Sequence, residues 1–116
     1  MTTLLFAYGT LMPADPVAAA QQGWRPDAVR GRLYDLGPYP ALIDLDDPTA
    51  GWVLGFVGPV EPSELERHDR WEDVDSGLYR RVETTTRNND RAWVYVYARP
   101  LPANVRGPLA CWQARA

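Results

Sequence analysis

The chain has 116 residues, of which 12 are basic and 15 acidic, and its formal net charge is −3. This length is typical of one compact domain with its own core. A content of 46% hydrophobic and 11% aromatic residues excludes a disordered or fibrous chain. A negative charge without a basic stripe also argues against nucleic-acid binding. We therefore predict a single domain over residues 1–116, in which residues 99–116 form a proline-rich tail.

The residue types that are scarce exclude several kinds of chemistry. Cys111 is the one cysteine and His68 the one histidine, so the sequence supports neither an internal disulfide nor a histidine-rich metal site. All twelve basic residues are arginine, which excludes Schiff-base chemistry on lysine. Neither of the two serines lies in a Gly-x-Ser-x-Gly motif. We expect a protein that uses no metal and no cofactor.

The first eleven residues carry an apolar patch, but they lack the basic start and the small-residue cleavage site of a signal peptide. No apolar run approaches the roughly 18 to 20 residues that are needed to span a bilayer. We expect a soluble, cytoplasmic protein with no membrane partner.

The first half of the sequence is typical of short strands separated by turns. The predicted strands are apolar or alternating stretches bounded by glycine or proline: residues 3–8, 29–36, 41–45 and 51–60. An alanine-rich stretch closed by Gly23 predicts a short helix over residues 15–22. In the last of the strands, Gly55 and Gly58 indicate bends or bulges.

The second half contains the clearest helix and a hairpin. Residues 63–71 are predicted to be helical, because Ser63 and Glu66 form a Ser-x-x-Glu capping box. Two stretches with alternating side chains are predicted to pair around an Asn-Asn-Asp turn: residues 79–87 and 91–98.

One face of this helix is unusually polar. If Leu65 points into the core, His68, Asp69 and Glu72 share its face. Buried carboxylates are costly unless they are hydrogen-bonded or protonated, so this face is expected to border a polar cavity. Desolvation beside Trp71 would raise the pKa of Glu72 toward that of a general base. The alternative is a frayed last turn with a solvated Glu72, and for Asp69 the simpler role is to pair with an arginine.

A second candidate site is the turn that follows the first strand. Its residues are Tyr8, Gly9, Thr10 and Leu11. Backbone N–H groups that are free in such a turn form an anion-binding nest, and Gly9 permits close approach to a ligand. Most turns of this kind bind nothing, so the motif alone does not decide the function.

Two features of the predicted hairpin have simpler structural explanations. Arg80 and Arg81 lie on opposite strand faces, so at most one of them reaches a pocket. Three aromatic side chains share one face of the second strand and are expected to pack in the core: Trp93, Tyr95 and Tyr97.

Several motifs follow one another in a specific order. They are Tyr-Gly-Thr-Leu at 8–11, Tyr-Pro-Ala-Leu at 39–42, Asp-x-x-Glu at 69–72, Tyr-Arg-Arg at 79–81 and Ala-Trp-Val-Tyr at 92–95. This order resembles the gamma-glutamylcyclotransferase-like family over nearly the whole chain up to Ala98. The resemblance implies an α+β fold, namely a small mixed β-barrel with a few short helices and a cavity at its mouth.

The resemblance also implies roles for particular residues. The loop of Tyr8, Gly9, Thr10 and Leu11 would hold the amino-acid end of a small gamma-glutamyl substrate, and Tyr79 would line the same pocket. Glu72 would be the general acid/base in a cyclisation that releases 5-oxoproline and a free amine. In this reaction the substrate's own α-amine is the nucleophile, which agrees with the lack of a catalytic serine, cysteine or metal.

Two departures from the family pattern leave the identity of the amine open. Met12 and Pro13 follow the first motif in place of a basic residue and a glycine, and Asp73 follows Glu72 in place of a glycine. The alternative function is a non-catalytic ligand-binding or regulatory module on the same fold. A third hypothesis is a partner-binding domain that uses an exposed Trp112 in the tail, and the oligomeric state is left open.

Overall fold

The computed structural model describes residues 3–9, 12–13, 15–71 and 77–111. These residues form eight strands and two helices in the following order: β1 (Leu4–Ala7), α1 (Pro16–Gln21), β2 (Arg25–Arg30), β3 (Arg32–Asp35), β4 (Pro40–Ile43), β5 (Trp52–Pro59), α2 (Pro62–Trp71), β6 (Tyr79–Thr85), β7 (Arg91–Tyr97) and β8 (Arg106–Leu109). Neither helix is long and apolar enough to cross a membrane.

The strands form two sheets. The larger sheet has the order β2-β5-β1-β7-β6, and the smaller has the order β4-β3-β8. Strand β1 pairs antiparallel with β5 and parallel with β7, so the larger sheet is mixed. The predicted hairpin is confirmed, because β6 pairs with β7 from Tyr79 opposite Tyr97 to Thr85 opposite Arg91. The α+β class is therefore confirmed.

The larger sheet does not close on itself into a continuous barrel, because its two edge strands, β2 and β6, do not pair with each other. The edge strand β2 meets the β6–β7 turn through one backbone hydrogen bond, from the N–H of Arg87 to the carbonyl of Ala28 at 2.8 Å. Asp27 adds a contact, since its Oδ1 accepts from the N–H of Asn88 at 3.2 Å. A turn in place of a full strand ladder joins these edges, so the predicted barrel is only partial.

The larger sheet carries a cluster of buried side chains on each face. On its inner face, Phe6 and Val94 pack with Leu33 and Leu42 from the smaller sheet. On its outer face, a second cluster packs under α2: Leu5, Val60, Leu65, Tyr79 and Tyr95. The predicted core packing of the β7 aromatics is confirmed, since Trp93 and Tyr97 lie against this second cluster.

The strand predicted over residues 29–36 is in fact two strands, which belong to different sheets and separate at Gly31. An added Cβ at Gly31 would lie 2.8 Å from Cδ1 of Leu42 and 3.1 Å from the carbonyl oxygen of Ile43. The chain therefore crosses between sheets where only glycine fits without a shift.

The bulges predicted at Gly55 and Gly58 are wrong. Strand β5 pairs with β2 and β1 without a register shift. Both glycines instead allow close packing: an added Cβ would lie 2.3 Å from the carbonyl oxygen of Ala7 at Gly55, and 2.0 Å from the ring of Trp24 at Gly58.

The start of α2 and the C-terminal tail differ from the prediction. Helix α2 begins at Pro62, and the side chain of Glu64 accepts from the N–H of Glu61 at 3.1 Å. The cap therefore precedes the predicted Ser63, because proline favours the first helical position. The tail is not wholly irregular, since β8 pairs with β3. Trp112 lies outside the described residues.

Candidate active site

Tyr8, predicted to bind substrate, lies directly after β1. It is buried in the core between the sheets. Its hydroxyl donates to the backbone carbonyl of Tyr95 at 2.5 Å. The start of the predicted binding loop is thereby fixed to the middle of β7.

Gly9 lies against the first residue of β4. An added Cβ would be 2.8 Å from Cγ and 3.3 Å from Cδ of Pro40, so the loop passes this ring more closely than a larger residue permits. The N–H of Met12 donates to the carbonyl of Gly9 at 3.0 Å, which turns the chain back within three residues. Thr10 and Leu11 lie outside the described residues, so their binding role remains a prediction.

Tyr79, the other residue predicted to bind substrate, reaches the same proline from the edge strand β6. Its ring is buried, and its hydroxyl donates to the carbonyl of Pro40 at 2.5 Å. Edge-to-face contacts with Tyr39 at 6.2 Å and Tyr97 at 5.6 Å between ring centroids surround it. The structure therefore brings Gly9 and Tyr79 together at Pro40, 70 residues apart in the sequence.

The end of α2 is tied to the hairpin by a polar cluster. Oδ1 of Asp69 lies 2.7 Å from Nε of Arg81, and Oδ2 lies 3.0 Å from Nη2. The hydroxyl of Tyr95 donates to the same Oδ1 at 2.7 Å. The guanidinium of Arg81 lies over the ring of Trp93, 4.5 Å from its centroid. The prediction that Asp69 pairs with an arginine is confirmed.

The electrostatics of this cluster favour an ionised pair. Burial opposes the charge on Asp69, but hydrogen bonds from Arg81 and Tyr95 outweigh it and hold the pKa of this carboxyl below its ordinary value. The hydrogen bond with Asp69 raises the pKa of Arg81 in turn. Partial burial lowers the pKa of His68, so its imidazole is largely neutral at pH 7.

The polar face predicted for α2 is confirmed as far as the structure describes it. Leu65 is buried, and His68 and Asp69 are half-buried. Glu72 lies outside the described residues, so its position and its acid/base role remain predictions. Trp71 is 71% exposed, and an indole so open to water desolvates little. The expected shelter from Trp71 therefore has no support.

Sequence reasoning missed several residues that build this region. Pro40, Tyr39 and the hydroxyl of Tyr95 were not recognised as contacts of the predicted site. A signal was present for Tyr95, because a tyrosine in a core position needs a hydrogen-bond partner for its hydroxyl. The sequence also left open which arginine faces inward; it is Arg81, since Arg80 is exposed.

Other features of the described residues do not add to this site. They hold no group of three or more His, Cys, Asp or Glu side chains that could bind a metal ion. A cavity of about 400 Å³ is lined by Pro26, Asp27, Ala28, Leu54, Arg87 and Asn88. Another of about 320 Å³ is lined by Asp35, Leu36, Pro102, Ala103, Asn104 and Val105. Neither includes a predicted site residue.

These observations define a class: a small two-sheet α+β protein in which a glycine turn after the first strand meets a tyrosine of the hairpin. The sequence matches, over residues 5–114, the family described as gamma-glutamyl cyclotransferase, AIG2-like. The chain belongs to this family. A comparison with curated proteins gives no significant match.

Solved structures agree on the fold. The chain is similar to an AIG2-like protein from Mus musculus, with a TM-score of 0.74 and 19% identity over 97% of this chain and 88% of that one. For an uncharacterised protein from Pyrococcus horikoshii the TM-score is 0.63, with 20% identity over 90% of this chain and 86% of that one. For YkqA from Bacillus subtilis the TM-score is 0.64, with 21% identity over 84% of this chain and 36% of that one. At these identities the likeness concerns the fold.

Proposed function

We propose that this protein is a gamma-glutamyl cyclotransferase-like enzyme that releases 5-oxoproline and a free amine from a small gamma-glutamyl amide. The meeting of Gly9 and Tyr79 at Pro40 carries the proposal, because it unites two segments for which the sequence predicts substrate contacts. Membership of the gamma-glutamyl cyclotransferase, AIG2-like family supports the reaction class.

The reaction is an intramolecular acyl transfer. The α-amine of the glutamyl group attacks its own side-chain carbonyl, a new C–N bond closes the five-membered lactam, and the original amide C–N bond breaks. A nucleophile from the enzyme is unnecessary. The main task of the protein is to hold the flexible glutamyl chain in a folded conformation, and such positioning can supply about 7 to 11 kcal/mol of the barrier.

The loop after β1 is suited to hold the α-carboxylate. Glycine at position 9 lets the loop pass close to the ring of Pro40, and N–H groups in a tight turn attract an anion. The hydroxyl of Tyr8 fixes the loop to β7. The exposed ring of Tyr39 packs edge-to-face on the buried ring of Tyr79 beside Pro40, and the folded glutamyl chain would lie next to it.

Glu72 is the proposed acid/base. It would take a proton from the attacking amine and deliver it to the departing amine, so that one carboxyl group serves both steps. Proton transfer of this kind contributes roughly 10²- to 10⁴-fold.

A screen of gamma-glutamyl amides tests this function directly. The panel would join the glutamyl group to amino acids, alkylamines and a lysine side chain, and mass spectrometry would follow 5-oxoproline and the released amine. We expect both products in equal amounts from at least one member. Binding of a panel member without any turnover would contradict the proposal and favour a non-catalytic ligand-binding module.

A further inference from the structure

We propose that the cavity beside the β6–β7 turn binds a small zwitterion, an amino acid or a dipeptide, with its ammonium group toward Asp27 and its carboxylate toward Arg87. No described residue of the predicted active site lines this cavity. The inference therefore goes beyond the proposed function and does not rest on it.

The cavity lies at the seam between β2 and the β6–β7 turn, residues 86–90. Its volume of about 400 Å³ is within the range of roughly 300 to 1,000 Å³ that is typical of small-molecule sites. The edge strand β2, the neighbouring β5 and the turn all contribute to its lining: Pro26, Asp27, Ala28, Leu54, Arg87 and Asn88. Because the N–H of Arg87 donates to the carbonyl of Ala28 at 2.8 Å, the backbone holds its two sides together.

Asp27 supplies a negative charge that the described residues satisfy only in part. It is 8% exposed, and its Oδ1 accepts from the N–H groups of Ala28 at 2.8 Å and Asn88 at 3.2 Å. Its Oδ2 is buried and has no hydrogen-bond partner among the described residues. A buried carboxylate without full pairing is costly. A ligand that brings an ammonium group to this side of the cavity would lower that cost.

Arg87 supplies a positive charge on the side of the turn. Its guanidinium lies 5.5 Å from the ring centroid of Trp52, and that of Arg30 lies 4.3 Å from the same centroid. Neither arginine pairs with a carboxylate of the described residues. Arg87 is exposed, and a planar guanidinium binds a carboxylate through two parallel hydrogen bonds. The carboxylate of a ligand is therefore favoured at Arg87.

The two opposite charges on one cavity select for a zwitterion. A simple anion is attracted by Arg87 but repelled by Asp27, and the reverse holds for a simple amine. The rest of the lining includes an apolar wall of Pro26, Ala28 and Leu54, of which Leu54 is 48% exposed. An aliphatic side chain fits such a wall, so leucine and leucyl-leucine are the appropriate probes.

The test titrates each probe into the natural chain and follows the backbone amides by NMR. The amides of Ala28 and Asn88 donate to Asp27 and therefore report on this cavity. We expect one of the probes to bind with a Kd of about 1 mM or below and to shift these two amides. Which probe binds more tightly distinguishes an amino acid from a dipeptide. The absence of a shift with both probes at about 10 mM overturns the proposal.

Blocked analogues of the tighter probe test the two charges separately. The N-acetyl analogue lacks the ammonium group, and the C-terminal amide lacks the carboxylate. Each should bind at least about tenfold more weakly than the zwitterion, because hydrogen bonds to charged groups are the strong ones. Equal binding of all three compounds overturns the zwitterion assignment. This arm uses the natural chain, so it decides the question even if a variant fails to fold.

Matched variants assign each charge to its residue. Asp27→Asn keeps the Oδ1 acceptor but removes the charge, so it should lose the preference for the zwitterion over the N-acetyl analogue. Arg87→Gln should lose the preference over the amide. The control is Arg91→Gln, on an arginine of the same hairpin whose side chain is 65% exposed; it should keep both preferences. Folded Asp27→Asn and Arg87→Gln variants that keep both preferences overturn the proposal, whether or not the chain releases 5-oxoproline.

Discussion

The two faces of the larger sheet make different kinds of contact. The inner face packs against the smaller sheet through fully buried apolar side chains such as Phe6, Leu33 and Val94. The outer face carries α2 through Leu65 and a polar cluster of Asp69 and its partners. We infer that the inner face supplies most of the stability and that the outer face holds α2 against the hairpin. The predictions below separate these two roles.

The largest effect on stability is expected on the inner face. Leu33 is completely buried, and Leu33→Ala should lower the free energy of unfolding by roughly 2 to 5 kcal/mol, because a cavity adds to the lost burial. Chemical denaturation measures this loss. If the inner face serves stability alone, kcat of the folded fraction stays within a few-fold of the natural value. A loss of about 100-fold or more in kcat of the folded fraction would contradict this separation.

The outer face should show a smaller loss of stability. Asp69→Ala leaves Arg81 and the hydroxyl of Tyr95 without their carboxylate and is expected to cost about 1 to 3 kcal/mol. Trp71→Ala, at the exposed end of the same helix, is the control and should change the free energy of unfolding by less than about 0.5 kcal/mol. Equal losses in the two variants would show that the cluster does not hold the helix.

The close contact between Gly9 and Pro40 gives a third test. In Gly9→Ala the new Cβ would lie 2.8 Å from Cγ of Pro40, so either the ring or the loop must move. We expect KM for the panel substrate to rise roughly 10-fold, because the loop is misplaced, with little change in the melting temperature. Gly51→Ala also substitutes a loop glycine, but no atom lies within 4 Å of its added Cβ and its φ is not in the left-handed region. It should leave KM unchanged, and a matching rise would contradict the role of the Gly9 contact.

The smallest effect concerns pH. The pKa of Asp69 is lowered in the folded state, so its stabilisation is present above the ordinary aspartate pKa of about 3.9 and is lost as the pH falls below it. The difference in unfolding free energy between the natural chain and Asp69→Asn should therefore be constant near neutral pH and shrink in acid. Denaturation from pH 3 to pH 7 measures it, and a difference that grows in acid would contradict the pairing.

Local patterns in the sequence predict most of the fold. Alternation and capping residues place the hairpin, both helices and the buried first strand. The change of sheet at Gly31 escapes such reasoning, since it depends on packing against Leu42. The last strand was missed because its partner, β3, lies more than 70 residues earlier and because Pro108 interrupts its pattern.

In the candidate site, too, local patterns predict some features and the packing of distant elements decides the others. Helical spacing predicts that Asp69 faces inward, and the glycine turn is evident from the sequence. The choice of Arg81 over Arg80, the contact of Gly9 with Pro40 and the exposure of Trp71 all depend on how distant elements pack. Spacing along one element does not contain that information.

The most direct test of the central claim is the rate of 5-oxoproline release by Glu72→Gln. Glu66→Gln is the control, because Glu66 is an exposed carboxylate on α2. We expect Glu72→Gln to lose at least about 10²-fold in kcat while it retains the melting temperature of the natural chain, and Glu66→Gln to remain active. Release at the natural rate by a folded Glu72→Gln variant would contradict the assignment of Glu72 as the acid/base.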